Sequence, residues 1–170
     1  MRRIAWLRCG MGALLVSGTV AVAQEPSKEQ AALATALRSK HVALTTGLKA
    51  AATKGKPISA KYEYEDSKLQ LSVYTETNGQ FSEVVVNHHT GKVAKTEKIT
   101  EGDDLAAAQT QSAAMARGTV SLATAVARAL AANKGYGAVS ATAAMKGGLP
   151  VTEITLIKGK EFKSVTEPLS

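Results

Sequence analysis

From Ile58 onward the chain alternates. Ala60, Tyr62 and Tyr64 fall on one parity and Lys61, Glu63 and Glu65 on the other, and Leu69, Leu71 and Val73 then alternate with Gln70 and Ser72. Successive side chains of a strand point to opposite faces, so a period of two requires strands with one covered and one polar face. Asp66, Ser67 and Lys68 separate the first two strands, and Asn78 with Gly79 supplies the left-handed conformations of a tight hairpin before a strand over 81–87. His88, His89, Thr90 and Gly91 make the next turn, and 92–99 is a last strand carrying Val93 and Ile99. An antiparallel meander of this kind needs a cover for its apolar face.

The cover is predicted upstream. Ser27 and Gln30 have capping-box spacing and open a helix. Leu33, Leu37, Leu44 and Leu48 then share one helical face, and Gly55 and Pro57 stop it. Thr45, Thr46 and Gly47 weaken the middle, so the pattern fits either one helix over 27–53 or two with a break near His41.

After residues 101–104 the order restarts. An alanine-rich helix is predicted over about 105–116, Ser121 caps another with Leu122, Val126 and Leu130 on one face, and Gly135 ends it. Strands are predicted over 139–145, 151–157 and 161–167, set apart by Gly147, Gly148, Pro150 and Gly159. Val42, Leu44, Thr46 and Leu48 correspond to Val120, Leu122, Thr124 and Val126, and Ser59, Ala60 and Phe81 to Ser140, Ala141 and Phe162. The fold expected is α+β: two tandem repeats over 24–100 and 101–170, each with helices packed on a small antiparallel β-meander, the second truncated in its closing strand.

Residues 1–23 read as a cleavable secretory signal, with Arg2, Arg3 and Arg8, an apolar run over 11–22, and small residues up to Ala23 before Gln24. The run is too short and too glycine-interrupted for a retained anchor, and the residues after Arg2 and Arg3 do not continue a twin-arginine signal. The one cysteine, Cys9, lies in this leader, so the exported part would hold no disulfide, thiol nucleophile or thiolate ligand. Removing the three leader arginines from 21 basic residues leaves 18 against 14 acidic, and the excess falls from +7 to +4. The remaining lysines are dispersed, which argues against a nucleic-acid surface. The chain is therefore expected in the periplasm or outside the cell, without a stable membrane anchor after cleavage.

The stretch 81–93, with Asn87, Thr90 and Gly91 as its turn motif, resembles the closing strand and Asp-x-x-Thr-Gly turn of the PepSY domain family; Asn87 stands where the family has aspartate. The residues over 121–167 resemble the same unit without its closing turn. The resemblance implies a helix followed by an antiparallel sheet, no catalytic residues, an extracytoplasmic location, and by analogy the restraint of peptidases.

Each candidate for chemistry has a plainer alternative. His88 and His89 could offer imidazoles to a metal or haem, but neighbours on an extended strand diverge and no third ligand sits at helical spacing. Asp103 and Asp104 could be paired carboxylates, yet they precede a helix, where caps belong. Tyr62 and Tyr64 have core parity, leaving Tyr74 as the aromatic for a partner contact. No nucleotide loop, serine elbow or zinc-protease motif is present, so neither a hydrolase nor a cofactor is expected. The function expected is a non-catalytic module that binds a protein or peptide of the envelope through the edge over 161–167, with Tyr74, Phe162, Lys163 and Val165 as contacts; the alternative is a metal or haem protein using His88 and His89.

Overall fold

A computed structural model describes residues 27–170, so the predicted leader lies outside the described part. Two short helices, α1 (Lys28–Ala36) and α2 (Leu44–Ala51), precede four strands, β1 (Lys56–Glu65), β2 (Lys68–Thr77), β3 (Gln80–Val86) and β4 (Val93–Ile99). Helices α3 (Gly102–Arg117) and α4 (Leu122–Ala132) follow, then β5 (Gly137–Lys146), β6 (Leu149–Lys158) and β7 (Glu161–Pro168).

The local signals act as their chemistry dictates. Ser27 Oγ accepts the Gln30 N–H at 3.2 Å while Gln30 Oε1 accepts the Ser27 N–H at 3.0 Å, closing the capping box of α1. Ser121 caps α4 by accepting the Thr124 N–H at 3.1 Å. The helix left open over 27–53 is two helices, broken after Leu37. Asn78 and Gly79 have φ of 51° and 77°, the pair of left-handed residues that a two-residue hairpin requires.

The two meanders do not form separate sheets. Seven antiparallel strands run in the order β4-β3-β2-β1-β5-β6-β7, joined where Ser59, Ala60 and Lys61 of β1 face Thr142, Ala141 and Ser140 of β5. Ala60 and Ala141 are fully buried at this seam, beside which α2 and α4 touch one another. Four strands stand on the first side of the seam and three on the second, so β7 is an edge.

One face packs under α2 and α4: Leu71 lies so close to Gly47 of α2 that a Cβ there would come within 2.5 Å of Leu71 Cδ2. Tyr74 has the opposite parity in the unbroken β2 and is nevertheless only 2% exposed. The cover on that second face is α3, which contacts β1, β2, β5 and β6. A chain whose helices all lay on one face would leave Tyr74 in solvent, and this corrects the reading of Tyr74 as a partner contact. Tyr62 is in the core as its parity predicts, whereas Tyr64, beside the β1–β2 turn, is 37% exposed. Asp103 and Asp104 occupy the first turn of α3 rather than its cap; Glu101 is the N-cap and makes no capping bond, so the aspartates act on the helix dipole.

Candidate functional site

Strand β7 pairs with β6 alone. Lys158 and Glu161 flank the two-residue turn Gly159-Lys160 and form the closing hydrogen-bonded pair of the hairpin. At the other end the Leu169 N–H donates to Pro150 O at 3.0 Å, which has the same phase. Counting in twos, the odd residues of β7 bond to β6. The N–H and C=O groups of Phe162, Ser164 and Thr166 therefore point away from the sheet along an open edge.

The predicted contact residues divide accordingly. Phe162 and Val165 are half-buried apolar side chains on opposite faces of this edge. Lys163 turns toward α4, its Nζ donating to Asn133 Oδ1 at 2.7 Å. Tyr136 Oη donates to Glu161 Oε1 at 2.6 Å, a bond that holds the phenol above its usual pKa. Lys158 and Lys163 each lie 5.8 Å from the Tyr136 ring centre. These contacts draw Glu161 and Lys163 of β7 back toward the C-terminal end of α4 and the residues that follow it. The opposite edge differs, because β4 carries Lys95, Glu97 and Lys98 exposed, with Lys95 and Glu97 paired at 2.7 Å. That is a guarded edge.

The turn motif is structural. Asn87 Oδ1 accepts the N–H groups of His89 and Thr90 at 3.0 and 2.9 Å, Thr90 Oγ1 accepts that of Lys92 at 3.4 Å, and Gly91 takes φ of 72°. This geometry also corrects the expectation that His88 and His89 diverge: in the turn their ring centres are 4.0 Å apart. Among the described residues no group of three His, Cys, Asp or Glu side chains is placed to hold a metal ion.

A polar cluster on the α3 face escaped the sequence reading. Ser72 Oγ donates to Glu83 Oε1 at 2.7 Å, Gln70 Nε2 donates to Ser72 Oγ at 2.8 Å, and Lys61 pairs with Glu63. Burial pushes both Glu63 and Glu83 above the usual carboxylate range, and neither the Lys61 charge nor the Ser72 hydroxyl offsets it. Lys61, Glu63, Gln70 and Ser72 share the polar parity of β1 and β2, and that shared parity was the signal available for finding them. At the sheet end an apolar recess of about 170 Å3 is bordered by Leu48, Pro57, Met115 and Leu122. The Lys56 amine beside it donates to Met115 O at 3.0 Å.

Residues 27–97 match the family described as Peptidase propeptide and YPEB domain, PepSY. No curated protein matches the chain. A crystal structure described as that of a candidate lipoprotein from Clostridium difficile 630 aligns over 72% of this chain and 81% of its own, at 15% identity and a TM-score of 0.39. None of the described helices is long and apolar enough to cross a membrane.

Proposed function

With a PepSY domain at residues 27–97, we propose that this chain is a non-catalytic binding module of the cell envelope that takes an extended segment of a protein partner onto β7. The observation that carries this reading is the open edge at Phe162, Ser164 and Thr166, flanked by half-buried Phe162 and Val165. Backbone groups supply affinity in such a docking, and Phe162 and Val165, on opposite faces of the edge, each meet a side chain on their own face of the incoming strand. The leader read at 1–23 supports an extracytoplasmic setting, and the likeness of residues 27–97 to a peptidase propeptide family supports a peptidase as the partner. The two units of the sequence reading, 24–100 and 101–170, then serve as halves of one platform, with the three-strand half offering the edge.

The phase of β7 selects the test. Proline at Lys163 would break the pairing with β6, whereas Ser164→Pro removes an outward N–H and leaves the inner ladder intact. Capture from envelope extract with wild type, Ser164→Pro and Ser164→Ala should retain a partner on wild type and the alanine variant and lose it on the proline variant. Equal retention on all three folded proteins would refute edge docking, and a captured peptidase whose activity falls on adding the protein would identify the restraint.

A further inference from the structure

All three histidines of the chain, His41, His88 and His89, meet at one corner, where the β3–β4 turn rests on the segment between α1 and α2. The Val42 N–H donates to His88 O at 2.8 Å, and His89 Nδ1 lies 2.9 Å from Lys40 O. His41 Nδ1 lies 2.8 Å from Ser39 O, and its ring stands edge-on to Tyr62 at 5.5 Å. A carbonyl can only accept, so both of these Nδ1 atoms carry hydrogen. Tyr62 Oη closes the corner by donating to Val42 O at 2.6 Å. Gly91 packs against Thr46 and Val42, where a Cβ would come within 2.9 Å of Thr46 Cγ2.

This corner adjoins the C-terminal end of α1, where Leu33 and the C-cap Leu37 pack into the core. Only Ala34 of α1 is buried, and α1 leans on β1. The groups bearing on His88 are His89 of its own turn and His41 of the α1–α2 segment. Tyr62 of β1 stands edge-on to His41. The two segments also contain Arg38, Lys40 and Lys92 and no carboxylate over 37–43 or 87–92. Three imidazoles invite a metal, but no three-ligand group is formed among the described residues, and the proton is the ligand this crowding fits.

We propose that the corner is an acid-sensitive latch: a proton on His88, crowded by His89 and His41 with no carboxylate beside it, releases the β3–β4 turn from the α1–α2 segment and frees α1 from the sheet. Burial first, then His89 and His41, hold the His88 imidazole below its usual pKa. A base lowered in the closed state contributes its stability above the open-state value of about 6.5 and loses it as pH falls through the closed-state value. Below pH of about 6.5 the opening constant therefore rises by up to about tenfold per pH unit until His88 titrates in the closed form. Glu63 and Glu83, raised on the α3 face, act with the opposite sign, so the latch is read locally rather than from global stability.

Amide exchange of the purified protein at pH 7.5 and 5.0, corrected for intrinsic rates, tests this. Protection at Val42 and across α1 should drop several-fold or more at pH 5.0 while β5 and β6 hold theirs, and His88→Asn should abolish the pH dependence at Val42. No local drop in wild type, or the same drop in a folded His88→Asn, overturns the latch. Should that variant fail to fold, the imidazole resonances of wild type decide: His88 titrating together with the loss of Val42 protection supports the latch, and His88 titrating without it, or at or above about 6.5, overturns it.

Discussion

Asn87 shows how one side chain can organise a corner. Its carboxamide oxygen accepts two successive backbone N–H groups, and Asn87→Ala leaves both to water. The loss should cost about 1 kcal/mol, measured by urea denaturation, with Asn87→Asp close to wild type. Thr152 illustrates the reverse case: it is fully buried, and its Oγ1 has no hydrogen-bond partner among the described residues. Thr152→Val keeps the branched shape and removes the hydroxyl, and stability should rise by about 1 kcal/mol in the same assay. Glu83 bears on pH. Because burial raises its pKa in the folded state, its stabilising share is full below the unfolded value near 4.3 and is lost as pH rises through the folded value. Glu83→Gln should therefore gain stability relative to wild type at pH 7 and converge with it at pH 4, as thermal melts at the two values would show. A wild-type-like profile in the variant would move that titration to Glu63.

At the element scale, helix α2 is held by an interlock rather than by propensity. Gly47 is a poor helix former, and alanine there would gain about 1 kcal/mol of propensity, but its Cβ would press on the fully buried Leu71. Overpacking of that kind costs about 1–3 kcal/mol, so Gly47→Ala should lower stability on balance, and a smaller residue at Leu71 should restore part of it in a double-mutant cycle. The elements themselves were largely legible: the capping box at Ser27, the N-cap Ser121, the period of two and the Asn-Gly turn each act over a few neighbouring residues, and α1, α4 and all seven strands lie where those signals put them. The break near His41 was legible only as one of two alternatives, and local pattern could not choose between them; in the fold the Val42 N–H there bonds to a carbonyl of the β3–β4 turn, some 45 residues away.

Across the whole molecule, the seam between β1 and β5 decides how the chain responds to stress. With both meanders in one sheet and α2 against α4 beside the seam, the described fold should unfold in one cooperative step, with far-UV and tyrosine signals coincident. Ala141→Leu would crowd the seam and should lower that single transition by about 1–3 kcal/mol. Two separated transitions in wild type would show that the halves fold independently.

Sequence by itself determined the local grammar: which residues cap, which alternate, which turn, and that the chain combines helices with antiparallel strands. Those choices are set by backbone sterics and by hydrogen bonds a few residues long. Only the tertiary structure decided that the meanders share a sheet, that α3 covers the second face and buries Tyr74, that Phe162, Ser164 and Thr166 are the outward groups of β7, and that His41 joins His88 and His89. Each of these depends on pairing or burial between segments far apart in the chain, where a one-residue change of register turns every side chain to the other face.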